Sequence, residues 1–300
     1  MPAAAGGAAA GARRYWRPGP AAFPPRVMAI LNVTPDSFSD GGRLYAASGP
    51  RLDRVIDYAA RCIEAGADLL DIGGESTRPG AAPVAVAEEL ARVVPVVEAL
   101  ARRFPVPVSV DTSDPLVMAE AAAVGAAMIN DVRALQRPGA VAAAVAAGLP
   151  VCLMHMRGEP ATMQADPRYR DVVGEVREFL AARVAVCVAA GMDRDRLLVD
   201  PGFGFGKHLE HNLALLRRLP DLAPPGVPVL VGLSRKRMIG ELTGRAVGQR
   251  VHGSVALALV AALRGAAVIR VHDVAATVDA LKIWTAVGPG LPSPPCLESV

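Results

Sequence analysis

The chain has 300 residues, 52% of them hydrophobic, and a formal net charge of +3. This length and apolar content can bury a large core, in one α/β domain or in two small ones. The small excess of basic residues gives no nucleic-acid footprint, and no apolar stretch is long enough to predict a transmembrane helix.

The two ends of the chain differ in composition from the rest. Residues 1–26 are rich in Ala, Gly and Pro, and Arg13 and Arg14 follow the small-residue run, the reverse of the order in a secretory signal. We therefore expect a disordered extension over 1–26, one folded domain over 27–287 and a flexible tail over 288–300. Four cysteines without paired spacing (Cys62, Cys152, Cys187 and Cys296) predict reduced thiols in a cytoplasmic protein.

One junction recurs along the chain: an amphipathic stripe, a glycine and then a short apolar run. It occurs at Gly66, Gly125, Gly148, Gly191 and Gly265, and it is typical of alternating helices and buried strands. The predicted strands are Val27–Leu31, Asp68–Ile72, Val106–Val110, Ala127–Asn130, Val151–Met154, Arg196–Val199, Val227–Val231 and Val268–Val271. The predicted helices are Arg51–Ala65, Ala85–Arg103, Asp114–Val124, Pro138–Ala147, Asp171–Ala190, Leu209–Arg218, Gln249–Arg264 and Val274–Ala286. Eight such units predict a single-domain (β/α)8 TIM barrel, with a doubly wound open sheet as the alternative.

A polar or charged side chain follows every predicted strand. The strand ends carry Asn32, Asp71 with Glu75, Asp111, Asn130 with Asp131, His155, Asp200, Ser234 with Arg235 and Lys236, and Arg270 with His272. In a barrel these ends lie on one face, where active sites form. One polar strand end would be unremarkable, but eight in succession predict a site.

The residue types suggest what this site binds. Asp111, Asn130 and Asp200 can accept and donate hydrogen bonds along the edge of a flat nitrogen heterocycle, although each alone could instead cap backbone groups. The loop after the first strand, with Asn32 and other oxygen ligands, suits Mg²⁺ or a phosphate, or is an ordinary polar loop. Arg270 and His272, beside Asn32, predict an anion pocket.

Three further features are ambiguous. The stretch Pro201–Lys207, PGFGFGK, departs from the phosphate-loop pattern, and we expect its glycines to form a flexible, close-approaching loop that presents Phe203 and Phe205 to an apolar or aromatic ligand. His208 and His211 could bind a metal but lack a third ligand, which favours surface residues. The Ser254–Leu263 helix is apolar nearly all round, which predicts a subunit interface or burial under a loop.

Eight segments in order resemble the motif series of the bacterial dihydropteroate synthases. They are MAILNVTPDSFSDGG, DIGGESTRPGA, SVDT, MINDV, LMHM, VDPGFGFGK, VGLSRKRMIG and GAAVIRVHDV, and they span residues 28 to about 286. Any one segment is weak, but the ordered set is highly specific. The resemblance implies a transferase of folate biosynthesis that joins 6-hydroxymethyl-7,8-dihydropterin pyrophosphate to para-aminobenzoate and releases pyrophosphate. It also implies a homodimer that is a sulfonamide target.

The resemblance also implies roles for individual residues. The pterin would be bound by Asp111, Asn130, Met154, Asp200, Gly232 and Lys236. The pyrophosphate would be held by Asn32, Thr77, Arg270 and His272, with Asn32 reaching it through Mg²⁺. The para-aminobenzoate pocket would be formed by Thr77, Arg78, Pro79, Phe205 and Ser234. Catalysis would rest on Asp200, Lys236, Arg270 and His272.

Two other functions remain open at this stage. A corrinoid-type methyltransferase shares the barrel and the pterin-binding acids, but the NVTPDSFSDGG, SRK and RVHDV segments argue against it. A paralogue that binds pterin without catalysis should have lost part of the set Asn32, Asp200, Lys236 and Arg270, and this chain has all four.

Overall fold

The computed structural model describes residues 24–34, 45–46, 49–76, 84–158, 162–163 and 167–287. Over these ranges the chain forms the predicted barrel. Its parallel strands are β1 (Arg26–Asn32), β2 (Leu69–Gly73), β3 (Val108–Asp111), β4 (Met128–Asp131), β5 (Val151–Met154), β6 (Leu197–Asp200), β7 (Leu230–Gly232) and β8 (Val268–Val271). They are hydrogen-bonded in the order β6–β5–β4–β3–β2–β1–β8–β7. A parallel bridge between Val199 and Val229 joins the two ends of this order, so the sheet is a nearly closed barrel and not the open alternative.

Helices alternate with the strands on the outside. They are α1 (Leu52–Glu64), α2 (Val86–Arg103), α3 (Pro115–Ala123), α4 (Ala140–Ala147), α5 (Val172–Ala189), α6 (Leu209–Arg217), α7 (Arg237–Thr243), α8 (Val251–Leu263) and α9 (Val274–Val287). A two-stranded ribbon, Tyr45–Ala46 with Gly49–Pro50, precedes α1. The predicted helices match these bounds within about two residues, but α7 was not predicted.

Local sequence explains where the elements begin and end. Asp114 caps α3, because its carboxylate accepts from the backbone N–H groups of Leu116 and Val117, and Pro115 takes the first helical position. The five junction glycines all have positive φ, from 63 to 113°, as a helix followed by a reversal requires. The predicted start of β7 was wrong. Val227–Val231 was expected, but the strand begins at Leu230, because Pro228 has no N–H to donate to a neighbouring strand.

The core has two parts. The larger lies between the strands and the helices, where Leu31, Ile72, Val110 and Leu153 are fully buried. The smaller fills the barrel interior with one side chain from each of seven strands: Met28, Leu69, Met128, Cys152, Leu198, Leu230 and Val268. This inner layer supports the site above it.

The remaining predictions about the whole chain have these outcomes. Cys62, Cys152 and Cys187 are buried free thiols, as expected, and Cys296 lies outside the described residues. The predicted disordered extension and flexible tail also lie outside them, except for residues 24–26. No described helix is both long and apolar enough to cross a membrane.

Candidate active site

The site is one layer of side chains above the apolar inner layer. Side chains two residues apart on a strand share a face, so the residue two positions after each inner-layer member also points into the barrel. On β2, β4, β5, β6, β7 and β8 these residues are Asp71, Asn130, Met154, Asp200, Gly232 and Arg270. The strand period therefore brings together at one level residues that are up to 199 positions apart in the chain.

Arg270 is the centre of one half of this layer. Its Nε donates to Asp71 Oδ2 at 2.6 Å and its Nη2 donates to Asp111 Oδ2 at 2.8 Å. Asn130 Nδ2 donates to the same Asp71 oxygen at 3.1 Å. One guanidinium thus bridges two carboxylates from neighbouring strands, a geometry that its planar fork of N–H groups favours.

Burial dominates the electrostatics of Asp111. Loss of solvent raises the pKa of this carboxyl to about 8, the charge of Arg270 opposes the rise and the nearby Asp71 adds to it. A carboxyl group with so high a pKa exchanges its proton near neutral pH, which suits it both to accept and to donate hydrogen bonds along a heterocycle.

Asp200 and Lys236 form the opposite half. Burial raises the pKa of the Asp200 carboxyl, and the charge of Lys236 is the main opposing influence. Burial lowers the pKa of the Lys236 ammonium to about 8, and the charge of Asp200 opposes this decrease. Asp200 also accepts from the backbone N–H of Gly202 at 2.7 Å, which fixes one of its oxygens.

The chain after β6 closes this side of the mouth. Lys236 Nζ donates to the Phe203 carbonyl and lies 4.5 Å from the centre of the Phe205 ring. Phe205 is partly exposed at the mouth, whereas Phe203 is fully buried in the core. The expectation that Phe203 is presented to a ligand was therefore wrong, and Phe205 alone is available.

The loops after β7 and β8 meet beside Lys236. Ser234 Oγ lies 3.0 Å from His272 Nδ1 and accepts from the His272 backbone N–H at 3.2 Å. Arg235, with φ of 58°, forms a two-bond ion pair with Asp273 at 2.6 and 3.0 Å. This pair ties the two loops together, so Ser234 and His272 have a fixed separation.

Asn32 lies at the end of β1, between β8 and β2. A Cβ added at Gly73 on β2 would be 3.2 Å from Asn32 Oδ1 and 3.7 Å from Asp111 Cβ, so this glycine makes room for both side chains. Asn32 therefore faces the same mouth as the Arg270 cluster.

Comparisons with known proteins agree with this geometry. A family model described as "Pterin binding enzyme" matches residues 28–272. The chain is 54% identical over 259 residues to the dihydropteroate synthase of Escherichia coli strain K12, covering 86% of this chain and 90% of that protein. It is 43% identical over 284 residues to the Mycobacterium leprae dihydropteroate synthase, covering 91% and 98%.

This chain belongs to the dihydropteroate synthase family.

Solved structures of the family superpose over nearly the whole barrel. The Yersinia pestis dihydropteroate synthase, solved with a sulfonamide drug complex, has a TM-score of 0.84 and 56% identity over 87% of this chain and 94% of that one. The Xanthomonas albilineans enzyme in complex with 7,8-dihydropteroate has a TM-score of 0.79 and 54% identity, over 89% and 95%. The family resemblance, the barrel and the transferase activity predicted from the motifs are confirmed, and the methyltransferase alternative is not supported by these relatives.

The structure brings most predicted site residues of the synthase to one mouth. Asn32, Asp111, Asn130, Met154, Asp200, Gly232, Lys236, Arg270, Phe205, Ser234 and His272 all lie there. Thr77, Arg78 and Pro79 lie outside the described residues. His208 and His211 pair with each other at the start of α6, where the His208 backbone N–H donates to His211 Nδ1 at 3.2 Å. No group of three or more candidate metal ligands occurs among the residues that the structure describes.

Two buried residues near the mouth have no role in the sequence-based predictions. Asp71 lies two residues after buried Leu69 on β2, and this position signals an inward side chain. Lys207 is the last residue of a glycine-rich stretch. Its ammonium is buried among backbone carbonyls, and no side-chain motif announces such a partner set.

Proposed function

We propose that this mouth binds a dihydropterin pyrophosphate edge-on in the barrel and transfers its methylene group to para-aminobenzoate. The observation that supports the proposal most directly is the ring of buried polar groups directly above an apolar floor. Asp111, Asn130 and Asp200 supply acceptors and a donor from three strands, and Met154 and Gly232, on the strands that flank the strand of Asp200, add no charged group. A planar heterocycle with N–H groups and ring nitrogens along its edges complements such a ring.

Arg270 acts on the other side of the pterin seat. Its bonds to Asp71 and Asp111 use Nε and Nη2 and orient the guanidinium plane, and we propose that Nη1 donates to the anionic leaving group. His272, directly after β8, and Asn32, at the end of the neighbouring β1, complete a pocket for the pyrophosphate.

Magnesium is the cofactor that we propose for this pocket. Asn32 offers one amide oxygen, and the described residues include no group of three or more His, Cys, Asp or Glu side chains that could hold a metal ion. This donor set fits Mg²⁺ only when pyrophosphate oxygens and water complete the shell, which is how Mg²⁺ usually binds in phosphate-transferring sites. A bound Mg²⁺ would supply neutralisation of the charge that develops on the leaving pyrophosphate.

We place the para-aminobenzoate seat on the side of the mouth that carries Phe205 and Lys236. The Phe205 ring and the Lys236 ammonium lie together there, and Ser234, two residues before Lys236, contacts His272. An aromatic ring and a cation suit a benzoate, since the ring can stack and the carboxylate can pair with a donor. We assign Thr77, Arg78 and Pro79 to this pocket on their motif alone.

The reaction exchanges one bond for another at the pterin methylene carbon. The bond from that carbon to the pyrophosphate oxygen breaks with both electrons leaving on the pyrophosphate. The amine nitrogen of para-aminobenzoate then donates its lone pair to the carbon and loses a proton. Asp200, whose oxygen is fixed by the Gly202 N–H, stabilises the transient positive charge on the pterin more than it stabilises the neutral substrate.

A test of the seat uses binding without turnover. Calorimetric titration with the pterin pyrophosphate should give a stoichiometric complex that Asn130→Ala weakens by about tenfold or more, the loss of a buried hydrogen-bonding partner. Arg102→Met, which changes an exposed arginine in the last turn of α2, should bind as the parent does. Equal binding by the Asn130 variant would contradict the proposed seat.

Three further proposals concern the protein as a whole. Because the family member from Yersinia pestis binds a sulfonamide, we expect a sulfonamide to compete with para-aminobenzoate here. We expect a homodimer, supported by the exposed Leu263, Ile283 and Val287 of α8 and α9, which are 51, 67 and 65% exposed. Sedimentation as a monomer at all practical concentrations would contradict it. We propose that the enzyme is cytoplasmic, because the three described cysteines are free and buried.

A further inference from the structure

The loop Pro201–Lys207 ends in a lysine whose charge is buried. Lys207 is 3% exposed, in a region where a lone ammonium would be costly. Neither the catalytic ring nor the proposed substrate seats include this side chain. Its burial therefore needs its own physical explanation.

The partners of Lys207 account for its whole hydrogen-bonding capacity. Nζ donates to the carbonyl oxygen of Gly202 at 2.9 Å and to that of Phe205 at 3.0 Å, and it lies 2.9 Å from His155 Nδ1. Burial and the charge of Lys207 lower the pKa of His155 to about 3, so the imidazole is neutral and Nδ1 accepts. Nζ also lies 3.4 Å from the carbonyl oxygen of His155, so its three N–H groups face four acceptors, two of which belong to the loop itself.

The loop backbone packs closely against the chain that follows β5. Gly202 has φ of 68°, and a Cβ added there would be 1.9 Å from the carbonyl oxygen of His155. A Cβ added at Gly206 would be 2.3 Å from the carbonyl oxygen of Arg157. The backbone of the loop therefore lies against the chain that follows β5, which confirms the predicted close approach of these glycines.

The other side of the loop faces the reaction. The Phe203 carbonyl accepts from Lys236, and the Phe205 ring lies under the same ammonium. The loop is thus held between two lysines, with Lys207 binding the Phe205 carbonyl from within and Lys236 contacting the Phe205 ring at the mouth.

From this arrangement we infer that Lys207 is a positioning residue for the transfer reaction: by holding the Phe205 carbonyl it sets where the Phe205 ring stands in the para-aminobenzoate seat. The inference rests on the proposed function in one respect, that Phe205 lines that seat. Lys207 contacts no substrate and acts through Phe205.

Other contacts keep the loop folded when Lys207 is changed, which makes the inference testable. Tyr169 donates from its hydroxyl to the Gly206 carbonyl at 2.9 Å, and the Gly204 N–H donates to Asn212 Oδ1 at 2.7 Å. Neither contact involves Lys207. A Lys207→Met variant should therefore fold but leave the Phe205 segment less well held.

The experiment is a double-mutant cycle on the KM for para-aminobenzoate, with Lys207→Met, Phe205→Leu and the two together. Lys207→Met should raise this KM by about tenfold, the effect of losing one charge-assisted hydrogen bond, and should raise the KM for the pterin pyrophosphate less. The double variant should match Phe205→Leu alone, because Lys207 has nothing left to position. Multiplicative effects in the double variant, or an unchanged KM in Lys207→Met, would overturn the inference.

Two controls separate this outcome from others. Lys282→Met removes an exposed lysine of α9 and should leave both KM values unchanged. An unchanged KM in Phe205→Leu would contradict the proposed seat of para-aminobenzoate, whereas a raised KM in Phe205→Leu without coupling to Lys207 would contradict the inference alone. If Lys207→Met does not fold, Lys207→Gln replaces it in the cycle: its uncharged amide can still donate to a carbonyl, so it should raise the KM for para-aminobenzoate by less than Lys207→Met is expected to, and this smaller rise should again disappear in the Phe205→Leu background.

Discussion

Replacing Arg270 by methionine should destabilise the folded protein strongly, because it leaves two buried carboxyl groups without their shared cation. Arg270 is 19% exposed, and its partners Asp71 and Asp111 are 0 and 11% exposed. Removing one partner of a buried ion pair costs roughly 3–5 kcal/mol. We expect a loss of this size in the free energy of unfolding at pH 9.

The cost should shrink as the pH falls. Without the guanidinium, the charge that holds down the pKa of Asp111 is gone, and the carboxyl takes up a proton more readily in the folded protein than in the unfolded chain. Proton uptake by the folded state stabilises it at lower pH, so the difference between Arg270→Met and the parent should be smaller at pH 6 than at pH 9.

Urea denaturation of the parent, Arg270→Met, Asp71→Asn and the double variant measures this directly. The loss of unfolding free energy caused by Arg270→Met should be smaller in the Asp71→Asn background, because one of the two carboxyl groups that Arg270 pairs with is already replaced by an uncharged amide. Arg237→Met breaks an ion pair with Glu241 at 2.6 Å on an arginine that is 80% exposed, and it should cost far less. A loss from Arg270→Met no greater than from Arg237→Met, or strictly additive effects with Asp71→Asn, would refute this electrostatic account.

Three other substitutions test separate parts of the structure. Burial raises the pKa of Asp111 to about 8 in the folded state, so this carboxyl contributes stability that is fully present below its ordinary pKa and is lost as the pH rises through about 8. Urea denaturation over this pH range should show a smaller loss of unfolding free energy with rising pH in Asp111→Asn than in the parent. Equal pH profiles of the two proteins would contradict the assignment. Gly202→Ala should lower the melting temperature and the turnover much more than Gly226→Ala. Both glycines have positive φ, but only a Cβ at Gly202 would lie 1.9 Å from a carbonyl oxygen. Similar melting temperatures for the two variants would show that the loop backbone can shift to accommodate the Cβ. Asp114→Ala should lower the unfolding free energy by about 1 kcal/mol through loss of the α3 cap, without changing either KM, and a changed KM would argue for a role beyond capping.

The barrel could be predicted from the sequence because its repeating unit is local. An amphipathic stripe, a positive-φ glycine and a short apolar run are all visible within about thirty residues, a βαβ length. The prediction was wrong where local signals conflict, as at Pro228, which looks like part of an apolar strand but cannot donate to a ladder. Helix α7 was missed because it is short and Lys236 at its start makes no capping bond.

The site could be predicted only in part. Strand ends identified the side chains at the mouth, but they did not show which of them contact one another. Asp71 and Arg270 are 199 residues apart, and they can pair because β2, β1 and β8 are consecutive in the barrel. The role of Lys207 depends on backbone carbonyls, which every sequence has at every position, so only the folded loop reveals it.

The proposed division of labour at the mouth is tested most directly by pyrophosphate release from the pterin pyrophosphate, measured with and without para-aminobenzoate and Mg²⁺, in the parent and in Asp200→Asn. We expect release that requires Mg²⁺, yields dihydropteroate in equal amount when para-aminobenzoate is present, and falls sharply in Asp200→Asn while binding of the pterin pyrophosphate persists. Full turnover in Asp200→Asn would contradict the role given to its carboxylate. Tight pterin binding without any turnover in the parent would instead favour a protein that binds pterin and does not catalyse.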